Sequence, residues 1–539
     1  MATMLRTSTS SSTSTSASRV LGIRSFATKS DRAAAPLALA QRLSGKHFIG
    51  GLRPAKSGAV FDVHNPATGE TIGHAALGDE ADINDAVTLA SRAQKEWREQ
   101  SVRARGALVA KCGEVLRAHV EELAQLTSLE TGKAIRTESR VEAGLISDTF
   151  SFFGGLAPEI KGQTIPFNPS VLTYTSREPV GVVGAIIPWN APLLLFALKL
   201  APALVAGNAV VLKSAEAAPF GVLRVTELLN QVLPSGLVST VSGYGKQAGT
   251  PLVRHPLVKK VTFTGSVDTG REIYKQAAEK LIPVTLELGG KSPMIVLEDA
   301  NFEKAVNGAI LSMRFTRQGQ SCTAASRIYV HEAIHDKFVA ALTEKINALK
   351  APFPLPLSFV ETLLTERMGD PLDEATDIGT VISKPQLDKI QRYIALGKGE
   401  QGATAHECSA LPTDASLSKG LYVRPVVFTG ISNQSRVARE EIFGPVTCVF
   451  KFNDFDAVLD EANSTEYGLS ASVWTNDLQK ALHATRKLEA GVVQVNQNAV
   501  VQPNLPVGGW KVSGLGREGS LETMLEHFTH SKTVAINFA

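Results

Sequence analysis

The stretch VGVVGAIIPWNAPLLLFALKLAPALVAGNAVVLK, residues 180–213, decides the fold. Residues 180–187 are a short apolar run rich in β-branched side chains, 193–206 space apolar residues at three and four, and 209–212 return to a β-branched run. Strand, helix and strand follow directly from those periods. The rhythm continues with a helix over 219–229, strands over 238–241 and 257–263, and a helix from Val267. Such alternation predicts a parallel sheet covered by helices, with ligands bound beyond the carboxyl ends of the strands.

The turns after those strands are therefore the first candidate site residues. Ile187-Pro188-Trp189-Asn190 ends the first strand with an amide able to donate two N–H bonds to a developing oxyanion. Lys213 ends the second, with Glu216 three residues on. Phe263-Thr264-Gly265-Ser266-Val267-Asp268-Thr269-Gly270 reads as strand, glycine turn and helix start, where backbone N–H groups and the helix dipole face a pyrophosphate. It is not the three-glycine dinucleotide fingerprint.

Downstream, Val284-Thr285-Leu286-Glu287-Leu288-Gly289-Gly290-Lys291 puts one carboxylate at the end of an apolar strand, which needs a reason. Phe315-Thr316-Arg317-Gln318-Gly319-Gln320-Ser321-Cys322-Thr323-Ala324 surrounds one cysteine with small and polar residues, leaving room for a substrate at the sulfur.

Together these two stretches resemble the paired catalytic signatures of the aldehyde dehydrogenase superfamily, and the resemblance runs from Phe48 to Phe538. It implies an α/β fold of aldehyde dehydrogenase type: a Rossmann-type cofactor domain, an α/β catalytic domain and a small β oligomerisation arm. The expected boundaries are 45–156 with 177–289 for the dinucleotide-binding domain, 290–522 for the catalytic domain, and 157–176 with 523–539 for oligomerisation, in a homodimer or homotetramer.

By the same resemblance Cys322 is the nucleophile, Glu287 the general base, Asn190 the oxyanion donor, and Lys199 and Glu518 lie along a proton exit route. Ile187, Pro188, Trp189, Lys213, Glu216, Gly265, Ser266, Gly270, Leu288, Glu441 and Phe443 are the expected cofactor contacts. A carboxylate at 216 accepts from a free 2′-hydroxyl and repels a 2′-phosphate, so the cofactor is NAD. The implied chemistry is thiolate attack on an aldehyde, collapse of the thiohemiacetal with hydride passing to the cofactor, and hydrolysis of the thioester by a water that Glu287 deprotonates. A family member that passes the acyl group to coenzyme A generally lacks that base. The substrate pocket positions Ala191, Leu195, Leu198, Thr316, Val501 and Val507 are largely aliphatic, and the aromatic box of betaine-type relatives is largely absent. Arg317 replaces an asparagine-like residue and is read as structural rather than as a carboxylate binder.

Composition narrows the class. At 539 residues and 44% hydrophobic the chain builds large cores in two or more domains. Its net charge is +3, and removing the four basic residues of the first thirty (Arg6, Arg19, Arg24, Lys29) leaves −1, so nucleic acid is not an expected partner; nor is a membrane, since no apolar run reaches the roughly 18 residues of a span. Four scattered cysteines argue against a disulfide framework and a cysteine-based zinc site. Residues 1–30 are Ser/Thr-rich, basic and acid-free, the composition of a mitochondrial transit peptide, which gives a matrix location as the expectation. Residues 351–368, proline-rich at their start, read as a surface insertion or as translated non-coding sequence.

Two competing readings remain. One is a catalytically silent structural member of the same fold. The other is a zinc peptidase, from His331-Glu332-Ala333-Ile334-His335, but His331 follows directly on a strand and no third ligand has a familiar spacing, so no metal is expected.

Overall fold

The computed structural model describes residues 29–348, 368–498 and 502–538. Most of the expected leader, residues 351–367 of the 351–368 stretch, and Val501 lie outside the described residues.

The first sheet has five central strands in parallel. In space they run Val238–Val241, Ala209–Lys213, Val182–Ile186, Val258–Thr264 and Val284–Glu287, so chain order reverses between the third and fourth. That reversal places a crevice between the carboxyl ends of Val182–Ile186 and Val258–Thr264. Val182–Ile186 and Ala209–Lys213 are buried throughout, as strands covered on both faces must be. Helices Pro192–Val205, Phe220–Leu229 and Val267–Ala278 are the crossovers, each within two residues of the periodicity read in the sequence.

Three features depart from local sequence pattern. The apolar–polar alternation over 47–63 around Gly50-Gly51 predicts one opening hairpin, whereas His47–Phe48 pairs with Leu52–Arg53, and Val60–His64 pairs with Thr71–Ala76. Apolar spacing at three and four over 104–127 predicts one helix; there are two, Val102–Ala118 and Val120–Thr131, broken where His119 leaves helical geometry at φ −116°, ψ 16° and its ring bonds the Val115 carbonyl. Helix Lys29–Leu43, outside every expected domain, packs Ala40 and Leu43 into the core beneath the first sheet.

The second sheet, also mainly parallel, runs Val426–Thr429, Val446–Phe452, Arg327–His331, Pro293–Val296, Ser470–Trp474 and Val492–Val495, with Thr404–Glu407 antiparallel at one edge. Alternate residues of its strands enter two different cores: Met294, Val296 and Ile328 one, Ile295, Leu297 and Tyr329 the other. A third sheet is antiparallel, Thr529–Asn537 against Val171–Pro179 against Thr164–Asn168, and leaves Phe167 74% exposed.

Candidate active site

Asn190 is set by the helix that follows it. Helix Pro192–Val205 has no side-chain cap of its own, and Glu142 supplies one from outside, accepting from Leu193 N at 2.8 Å and Leu194 N at 3.3 Å. At the far end Trp97 Nε1 donates to the Leu204 carbonyl and Arg105 Nε to that of Val205. With both ends held, Asn190 is buried and its Nδ2 donates to the Gln320 carbonyl at 3.1 Å, two residues before Cys322.

The Cys322 loop joins helix Phe302–Met313 to strand Arg327–His331 through consecutive left-handed residues Gln318 (φ 54°) and Gly319 (φ 63°). A Cβ on Gly319 would lie 2.2 Å from the Gly444 carbonyl oxygen, so glycine is required twice over. Gly290 likewise backs the Cys322 carbonyl, where a Cβ would sit at 2.4 Å. The thiol is pushed up to about 12, by burial first and then by the charges of Glu441 and Glu287. Gly290, three residues after Glu287, thus touches the Cys322 backbone and donates its N–H to Glu441, which draws the three stretches together.

Glu287 ends strand Val284–Glu287 beside Thr264 on one side and Gly514 on the other. It is buried, and its Oε1 has no hydrogen-bond partner among the described residues. Burial raises it well above the usual carboxylate range; Glu518 adds to this, and Lys199 and Arg517 oppose it. Behind it Lys199 Nζ donates to Glu518 Oε1 at 2.7 Å and to Thr262 Oγ1 at 3.0 Å, while Thr262 Oγ1 donates to the same Glu518 oxygen at 2.7 Å.

The expected cofactor residues fall around the crevice. Ile187, Pro188 and Trp189 form the turn after Val182–Ile186, and the Trp189 ring meets that of Phe443 edge-on, centroids 5.4 Å apart. Lys213 Nζ donates to Glu216 Oε1 at 3.0 Å, with Lys213 buried and Glu216 at the rim. Ser266 caps helix Val267–Ala278 by accepting from Thr269 N. Gly270 allows Leu288 to pack close, since a Cβ there would meet its side chain at 2.6 Å. Glu441 Oε1 accepts from Gly290 N at 3.0 Å, and burial raises its carboxyl. These groups fit a dinucleotide: a helix N-terminus for phosphates, a rim carboxylate for a ribose hydroxyl, and an aromatic edge beside the thiol cleft.

Arg317 is satisfied within the protein, donating to Glu138 Oε2 at 2.8 and 2.6 Å. His331 ends a strand and His335 opens helix His335–Asn347, so the pair does not share a helical face. The sequence reading missed Lys133, Glu138 and Glu142, whose partners lie up to 179 residues away and leave no local pattern.

The family model described as "Aldehyde dehydrogenase family" matches residues 53–534. "Betaine aldehyde dehydrogenase 1" of Rhizobium meliloti is 40% identical over 493 residues, 91% of this chain and 96% of that protein. Among solved structures, betaine aldehyde dehydrogenase from Staphylococcus aureus in complex with NAD+ superposes with a TM-score of 0.87 at 34% identity, over 94% of this chain and 98% of that one. An NAD+ complex of aldehyde dehydrogenase from Bacillus cereus gives 0.86 at 37%, over 93% and 98%. These comparisons correct the expected mitochondrial matrix location. The relatives are bacterial proteins, from cells without that organelle, and the leader's composition alone carried the assignment.

Proposed function

Because the chain belongs to the aldehyde dehydrogenase family, we propose that it oxidises an aldehyde to a carboxylic acid with NAD, carrying the carbon on Cys322 first as a thiohemiacetal and then as a thioester. The observation that carries this reading is the convergence of three stretches: Asn190 Nδ2 donates to the Gln320 carbonyl in the Cys322 loop, and Gly290, three residues after Glu287, backs the Cys322 carbonyl. NAD, when bound, supplies the hydride acceptor. The chain's own groups do the rest. Cys322 gives up its thiol proton to Glu287, which passes it on, its Sγ bonds to the aldehyde carbon, and Asn190 Nδ2, turning from the Gln320 carbonyl, donates to the new oxyanion. Glu287 then takes a proton from the water that adds to the thioester, and Cys322 leaves as the acid is released. A carboxyl raised by burial suits that task, because it stays a strong enough base once ionised. Glu518, Lys199 and Thr262 form a buried hydrogen-bonded chain for carrying that proton away.

Glu216 favours NAD over a 2′-phosphorylated cofactor, and Lys213, Glu441 and Phe443 hold its riboses and ring. The dinucleotide-binding domain comprises 45–156 and 177–289, with helix Lys29–Leu43 packed on its core, and the catalytic domain is 290–522. The arm strands Thr164–Asn168 and Thr529–Asn537 make a homodimer or homotetramer, a reading supported by their outward Phe167 and Phe538.

Aliphatic aldehydes are the first expected substrates, on the strength of Ala191, Leu195, Leu198 and Val507; the relatives named betaine aldehyde dehydrogenases make betaine aldehyde the competitor. NADH formation over a panel holding both classes, with Cys322→Ser as control, tests the reading. NADH from wild type alone is the expected result. Silence on every aldehyde would favour a non-catalytic member of the fold, and a tenfold preference for betaine aldehyde would overturn the aliphatic choice.

A further inference from the structure

The segment from Lys133 to Glu142 lies behind both reacting loops. It begins after Thr131, passes through a π-helical turn at Ile135–Ser139 and enters helix Arg140–Gly155. Wide turns of this kind recur at functional sites. Here the turn delivers two buried acids four residues apart, each to a different loop. Glu138 accepts from Thr316 Oγ1 and from Arg317 Nε and Nη2, at the base of the Cys322 loop. Glu142 caps the helix after Asn190 and pairs with Lys133, whose Nζ also donates to the Asn190 carbonyl at 3.3 Å.

The segment is itself tied down. Ile135 N donates to the Pro371 carbonyl at 2.8 Å, Thr137 Oγ1 to that of Asp377 at 2.9 Å, and Thr380 N to that of Gly132 at 2.8 Å. Residues 379–382 in turn hold the Cys322 loop: Gln318 Nε2 donates to the Gly379 carbonyl, and Ile382 N donates to Gln320 Oε1. The two ion pairs also sense each other: Arg317 and Glu138 act on Lys133, and Glu142 acts on Arg317.

We propose that Lys133 and Glu142 are positioning residues for the oxyanion donor. They fix the turn that presents Asn190, while Glu138 fixes the loop that presents Cys322, so one short segment sets the spacing between sulfur and amide. Neither Lys133 nor Glu142 touches substrate; both act through the Asn190 backbone and the helix that follows. This rests on the reading of Asn190 as the group that holds the oxyanion.

The test is a mutant cycle on the full-length protein, combining Lys133→Met with Asn190→Ala. Because misplacement of a reacting group by about 1 Å costs on the order of a hundredfold, Lys133→Met should lower kcat about tenfold to a hundredfold with a smaller change in KM. The same substitution in the Asn190→Ala background should cost less than twofold, and the rate of Cys322 alkylation by iodoacetamide should stay within twofold of wild type. Glu142→Gln, which keeps an acceptor for Leu193 N and Leu194 N but removes the charge facing Lys133, should show the same dependence on Asn190 and serves if Lys133→Met does not fold. An equal loss in both backgrounds, or alkylation falling in step with kcat, overturns the positioning role. If Asn190→Ala is slow and Lys133→Met matches wild type, the positioning alone fails; if Asn190→Ala matches wild type, the oxyanion reading fails and takes the positioning with it.

Discussion

Glu287 combines a cost with a use. Its carboxyl holds a proton more tightly in the folded protein than in the unfolded chain, chiefly through burial. A raised acid contributes stability that is complete below its unfolded value, near 4.5, and is lost as pH climbs through its folded value. Glu287→Gln removes that loss, so the variant should melt higher than wild type, by a margin that widens from pH 5 to pH 8 in thermal scans. Activity should move the other way. As a base, Glu287 works only when ionised, so wild-type turnover should rise with pH through the neutral and alkaline range, and Glu287→Gln should flatten that rise. A variant that melted lower at pH 8 than wild type would contradict the burial argument.

At the scale of the element, the site depends on backbones that approach too closely for side chains. Gly290→Ala places a methyl 2.4 Å from the Cys322 carbonyl oxygen, a backbone atom that yields only if the nucleophile loop shifts. Its kcat should fall on the order of tenfold to a hundredfold, while NAD affinity, read by protein fluorescence quenching, changes far less. Lys199 and Glu518 make the complementary point, since both are buried and each offsets the other's charge. Lys199→Met should destabilise by about 3–5 kcal/mol in urea unfolding, and adding Glu518→Leu should recover much of the loss. These elements differ in how far sequence discloses them. The strands and helices from Val182 to Ala278 declare themselves, because period two and period 3.6 are local properties of a covered parallel sheet. The break at His119 does not, since apolar spacing continues across it with no proline or glycine. Glu287 stands out as one carboxylate ending an apolar strand, Cys322 as a thiol among small and polar residues, and Asn190 as an amide at a strand's carboxyl end. Lys133, Glu138 and Glu142 carry no local pattern, and only distant partners give them meaning.

In the whole molecule, the crevice of one parallel sheet meets the nucleophile loop of another, and a separate antiparallel arm carries outward apolar side chains. Phe167 is 74% exposed and Phe538 68%, on strand Thr164–Asn168 and just past strand Thr529–Asn537. Exposed large apolar groups grouped on one small sheet mark an association surface. Phe167→Asp should shift the protein to smaller species in sedimentation velocity; an unchanged sedimentation coefficient would remove the arm from assembly. The central claim, that Cys322 carries the substrate carbon and Glu287 frees it, is tested most directly by mass spectrometry of Glu287→Gln mixed rapidly with aldehyde and NAD. The account predicts a burst of about one NADH per subunit and an acyl group accumulating on Cys322. Steady turnover without an acyl intermediate, or the acyl group on any other residue, would contradict it.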